Sequence, residues 1–77
     1  MKQLVEFIVK SIVTNKDAVE VREVEQEEEM ILEIVVDSND LGKIIGKNGK
    51  IAQAIRTIVK TASVGMSKKY FVKILDN

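Results

Sequence analysis

The sequence predicts an α+β fold: a three-stranded mixed sheet covered on one face by three helices, in the order helix, strand, strand, helix, helix, strand. Three observations lead there. Apolar residues recur at helical spacing over residues 2–14 and again over 50–64. Strand-length segments occupy residues 18–25, which alternate apolar and polar, 30–36, a nearly continuous β-branched run, and 69–75. The roughly thirty residues between the last two runs are too many for a hairpin, so those strands are parallel with a right-handed crossover, whereas the short link between the first two makes them antiparallel.

Each element has its own justification. Leu4, Ile8 and Ile12 stand at i, i+4 and i+8 with Val5, Val9 and Val13 beside them, opposed by Lys2, Glu6 and Lys10. Asn15 tolerates the left-handed conformation and is placed to close that helix. AVEVREVE at 18–25 alternates like a half-exposed strand. Gln26-Glu27-Glu28-Glu29 then reads as a solvated hairpin tip. MILEIVV at 30–36, broken only by Glu33, suits a buried central strand. Ser38, Asn39 and Asp40 are N-cap candidates for a short helix over about 40–46. After Gly46-Lys47-Asn48-Gly49, a second helix over 50–64 sets Ile51, Ile55, Ile58 and Ala62 on one face, and Gly65 is placed to end it. KYFVKIL at 69–75 is the last strand, and Ile31 and Val35 point to the uncovered sheet face, left to solvent or a partner.

Composition excludes several chemistries. The chain has 77 residues with no Cys and no His, which removes disulfides, thiolate metal sites, the cysteine nucleophile and the commonest general base. Length allows one domain, 1–77, and a single core of this size supplies only roughly 3–5 kcal/mol, so dimerisation is a plausible remedy. No apolar run approaches the roughly 20 residues that span a bilayer, and the amphipathic N-terminus lacks a signal-peptide cleavage site. The expectation is a cytoplasmic, noncatalytic protein with no cofactor, no metal and no membrane partner.

The informative stretch is Leu41-Gly42-Lys43-Ile44-Ile45-Gly46-Lys47-Asn48-Gly49-Lys50-Ile51. Glycines between two helices permit a tight turn and close approach of another backbone, and amides opening the second helix face an anion. A P-loop does not fit. It needs four residues between its glycines, then Gly-Lys-Ser/Thr after a strand; here Gly42 and Gly46 are separated by three residues and Lys47 precedes Asn48.

The run Gly42-x-Ile44-Ile45-Gly46-Lys47-Asn48-Gly49 between two helices closely resembles the K-homology (KH) signature, and the element order resembles the type II arrangement of that fold. Over essentially the whole chain the sequence is similar to the small bacterial single-KH-domain, KhpA-like RNA-binding proteins. The resemblance implies that Gly46, Lys47, Asn48 and Gly49 contact the backbone of single-stranded RNA, clamping about four nucleotides. It also implies that Gly42, Lys43 and Ile45 before the loop, with Lys50 and Gln53 after it, line one groove wall. The opposite wall is expected from the sheet, with Val35 and Val36 the candidates. Ile44, Ile51 and Ile55 read as core, Arg56 and Lys60 as solvated helix positions, Tyr70 and Phe71 as packing residues. With no aromatic in the matched segment, weak and permissive base recognition is expected.

A formal net charge of zero conceals a polar arrangement along the chain. Residues 17–40 carry ten acids against Arg22, net −9, whereas residues 41–75 carry eight Lys and Arg and no acid. The basic half contains the glycine loop and steers phosphates. The leading expectation is an RNA chaperone or post-transcriptional regulator. The alternative is an assembly module that forms a homodimer, or a heterodimer with a second KH-domain protein.

Overall fold

Helical spacing and β-branched runs resolve into α1 (Lys2–Lys10), β1 (Glu20–Glu25), β2 (Glu29–Val36), α2 (Leu41–Ile45), α3 (Lys50–Ala62) and β3 (Lys69–Asp76), with single 3₁₀ turns at Lys16–Ala18 and Lys47–Gly49. The computed structural model describes residues 1–76, except the side chains of Lys47 and Asp76. The sheet order is β1-β2-β3. β1 pairs antiparallel with β2 from Glu20↔Val35 to Glu25↔Met30, and β2 runs parallel to β3 from Glu29↔Lys69 to Val36↔Asp76. The α+β order and the mixed sheet are those expected.

Strand alternation divides the sheet into two faces. Leu32, Ile34 and Val36 are fully buried beneath the helices, joined by Val21 and by the partly buried Tyr70, Val72 and Ile74. The helices answer with Val5 and Val9 from α1, Ile44 from α2, and Ile55 and Val59 from α3. On the opposite face the registers align three cross-strand rows. They are Val24–Ile31–Phe71, Arg22–Glu33–Lys73 and Glu20–Val35–Leu75.

Two features of the first helix differ from expectation. Its core stripe is Val5, Val9 and Val13, while Ile8 and Ile12 flank the core and Leu4 is exposed. The stripe is therefore rotated by one position, toward the smaller valines. The helix also ends earlier. The Ser11 hydroxyl donates to the Ile8 carbonyl (2.6 Å), and the chain leaves through a turn in which the Val13 N–H still reaches the Val9 carbonyl (3.1 Å). Asn15 is not left-handed, with φ −92° and ψ 83°.

The reason lies at Asp40. Its carboxylate is buried, and it accepts the Asn15 N–H (2.9 Å) and the Thr14 N–H (3.1 Å). The predicted helix cap thus occupies the N-cap position of α2, but its side chain caps the segment after α1 instead. The Asn15 and Thr14 amides hold the Asp40 carboxyl below its ordinary range, reinforced by the Lys43 ammonium 3.5 Å away and opposed by burial. Asn15 Nδ2 also donates to Asp37 (3.0 Å), so Asn15 is held by acids on either side of Ser38 and Asn39.

The hairpin tip is short: the Gln26 N–H donates to the Glu29 carbonyl at 2.8 Å. α3 stops at Ala62, where the Ser63 hydroxyl donates to the Lys60 carbonyl (3.0 Å), and Gly65 follows with φ 88°. The link into β3 is tied to the hairpin. Lys68 Nζ donates to Glu25 Oε2 (2.8 Å) and to the Gln26 carbonyl (2.7 Å), and the Lys69 N–H donates to the Glu28 carbonyl (3.1 Å). That ion pair holds the Glu25 carboxyl below its usual range. The acidic and basic halves of the sequence therefore touch in space at this point.

Candidate functional site

The α2–α3 connection is built on backbone conformations that only certain residues adopt. Gly46 has φ 67° and ψ −177°, a region reserved almost entirely for glycine. A Cβ there would lie 3.3 Å from Ile51 Cγ1, so the loop also packs tightly against the start of α3. Asn48 is left-handed at φ 58°, ψ 24°, which Asn tolerates better than most residues. Gly49, left-handed at φ 70°, occupies the N-cap of α3 and offers no side-chain cap. The first amides of a thirteen-residue helix are left without a side-chain acceptor, at the positive end of its dipole.

The surroundings of this turn are open. Gly42 is exposed, and a Cβ on it would meet nothing within 4 Å. Ile45 is 43% exposed although Ile44 beside it is fully buried. An exposed isoleucine next to bare helix backbone offers an apolar rim on the α2 side. Lys50 and Gln53 are exposed beyond the loop. Lys43 is placed differently: its ammonium donates to the Thr14 hydroxyl and pairs with Asp40, so it reaches an incoming phosphate only by leaving these partners. The backbone of Lys47 lies in the turn, while its side chain is outside the described residues.

α3 carries the site away from the loop. At 3.6 residues per turn, positions 49, 53, 56, 60 and 63 fall on one face of the helix. That face leads from Gly49 past Gln53 to Arg56 and Lys60, which line a cavity of about 500 Å³ between α3 and β3. Ser63, Met66 and Lys68 close its end, and Lys69 to Val72 of β3 form the facing wall. Four of its lining residues are basic and none is acidic. Lys68 is engaged by Glu25, whereas Arg56, Lys60 and Lys69 make no ion pair with any described residue. The glycine loop and the basic cavity thus lie along one face of α3, the loop at its N-terminus and the cavity beside its C-terminal half.

This corrects the expected second wall. Val35 and Val36 do not line the groove, because β2 is the central strand and both residues are buried, Val36 under the helices and Val35 on the opposite face. The wall is β3. Tyr70 packs against the core and also lines the cavity, and Phe71 lines it while 48% exposed. The missed signal was topological: once β1 pairs with β2 and β3 returns parallel, β3 must be an edge strand lying beside its own crossover helix.

The glycine loop between two helices, in this element order, is the feature on which family comparison turns. The family model for the KH domain of KhpA and KhpB matches residues 2–74. The chain belongs to this KH family. An RNA-binding protein KhpA from Clostridium perfringens is 52% identical over 75 residues, covering 97% of this chain and all of that protein. The KhpA of Aquifex aeolicus is 42% identical over 99% of this chain and 96% of its own. That of Thermotoga maritima is 36% identical over 97% and 99%. No solved structure matches the chain significantly. Within this KH domain, the left-handed turn and the α3 N-terminus supply backbone donors for an anion. The cavity supplies cations and an aromatic edge.

Proposed function

We propose that this KH domain binds single-stranded RNA noncatalytically, with the Gly46-Lys47-Asn48-Gly49 turn on the sugar–phosphate backbone. Gly42, Ile45 and Gln53 border the strand near the turn, Lys50 stands beside it, and Lys43 joins if released from Asp40. One observation carries the reading: the turn opens onto a helix face that leads to a cavity lined by Arg56, Lys60 and Lys69, none of which makes an ion pair with a described residue. Backbone amides and cations grip phosphates without reading sequence, which fits a cytoplasmic RNA chaperone or post-transcriptional regulator of broad target range. The name carried by the KhpA relatives supports the same ligand.

The test is a variant carrying Lys47→Asp and Asn48→Asp, since Asp tolerates the left-handed conformation and adds two charges of the wrong sign. Circular dichroism should be unchanged and affinity for single-stranded RNA should fall at least about tenfold, the worth of about 1.4 kcal/mol. Parental affinity in the folded variant would remove the turn from the site.

A second reading is an assembly module that pairs with itself or with another KH protein. Phe7 at 74% and Val64 at 81% exposure leave apolar surface outside the groove that favours it. Light scattering of the pure protein, with and without RNase, separates the two readings. A strict monomer that binds RNA discards the second.

A further inference from the structure

We infer that a bound single strand does not end in the α3–β3 groove but crosses the rim of β3 onto the open face of the sheet, where Phe71 stacks one base; this rests on the RNA reading above. β3 is an edge strand, so nothing in the sheet stands between its two faces along that rim. Tyr70 and Val72 turn inward to the core, and by alternation Lys69, Phe71 and Lys73 project on the opposite side. Phe71 and Lys69 also border the basic cavity, so groove and open face share these residues and form one surface.

The pattern suits a nucleotide chain better than a protein partner. Lys69 and Lys73 stand about 13 Å apart along the strand with the ring between them, a phosphate contact on either side of a stacking platform. The register places Phe71 beside Ile31 and Val24, an apolar floor that extends the platform inward. Glu29 and Glu33 lie in register with Lys69 and Lys73, and Arg22 lies 3.9 Å from Glu33. These acids repel phosphate from the middle of the sheet and confine the backbone to its β3 rim. A second copy of the chain is a poorer occupant. Packing two such faces together buries the charged row Arg22–Glu33–Lys73 that separates the two apolar rows, and desolvating these charges, one cation in excess of the acid, is costly.

The experiment compares fluorescence anisotropy of labelled random-sequence RNA pools four and ten nucleotides long, with parent, Phe71→Leu and Lys73→Gln proteins. Phe71→Leu keeps apolar volume and removes the π-face. The expected result is a roughly tenfold loss of ten-nucleotide binding on Phe71→Leu, clearly larger than its loss of four-nucleotide binding because the residue also borders the groove. Lys73→Gln, which lies outside the cavity lining, should show a smaller loss of ten-nucleotide binding and change four-nucleotide binding less than about twofold. Equal losses for both lengths would place Phe71 inside the groove alone and overturn the extension. Unchanged binding of both pools would overturn it as well, leaving the groove intact. If the parent binds neither pool, the RNA reading itself fails. A shift from dimer to monomer in sedimentation, with length dependence unaltered, would assign the face to self-association instead.

Discussion

Gly46 and Gly42 are both glycines of the same motif, yet they answer to different constraints. Gly46 holds φ 67° with ψ −177° and no room beside Ile51, so Gly46→Ala should cost about 1–3 kcal/mol in urea unfolding and distort the turn. Gly42 lies inside α2 with open space where a Cβ would go. Gly42→Ala should leave stability equal or raise it by about 0.5–1 kcal/mol, while the added methyl hinders backbone approach and weakens RNA binding. Opposite signs on stability and binding at this position would show that the glycine serves the ligand. Asp40 carries a different lesson. Its carboxyl is held low by the Asn15 and Thr14 amides, so the stabilisation is present at neutral pH and is lost as pH falls through the lowered pKa. Urea melts at neutral and acid pH check this: the parent should lose stability on acidification, and Asp40→Asn should be less stable at neutrality with a flatter acid limb.

Among the elements, α2 is only five residues long and cannot persist by itself. It is held from below by Ile44, fully buried among the core residues, and Ile44→Ala should cost about 2–5 kcal/mol by denaturant unfolding. Ile45, one residue on and exposed, should tolerate the same change within about 0.5 kcal/mol. Helix and strand existence was legible in the sequence because the 3.6-residue period of α3, the 2-residue alternation of β1 and the nearly continuous apolar run of β2 are strong. The first helix was less so. Leu4, Ile8 and Ile12 look like the better apolar line, but the face turned into the core is that of the smaller Val5, Val9 and Val13. Asp40 was legible as a cap and not as the cap of another segment, since its partners Thr14 and Asn15 are distant in sequence. The glycine turn was readable for the converse reason: its whole geometry is local.

For the whole molecule, charge placement decides the behaviour. The linear separation into an acidic and a basic half is partly undone by folding, because Lys68 pairs with Glu25 and Lys43 with Asp40. What survives is narrower, a basic groove whose Arg56, Lys60 and Lys69 make no ion pair with any described residue. Each phosphate contact removed should reduce the salt dependence of single-strand binding by a slope of about 0.7 in log affinity against log salt. Arg56→Gln and Lys60→Gln, titrated from low to moderate salt, should each show it, and Lys2→Gln on α1 should not. The groove's second wall follows from the strand pairings and not from the composition of β3: Val35 and Val36 lie on the central strand and do not line the cavity, whereas β3 does. Its position at the sheet edge, opposite α3, is a property of topology.

RNA binding as proposed depends on the path of the strand from the glycine turn along α3 to β3. Amide chemical-shift mapping of the folded protein during titration with single-stranded RNA tests that path residue by residue. It should show the largest changes at Gly46 to Lys50, then at Gln53, Arg56, Lys60 and Lys68 to Val72, with α1 and β1 quiet. Changes centred on α1 or β1, with the 46–50 amides unmoved at saturation, would contradict it.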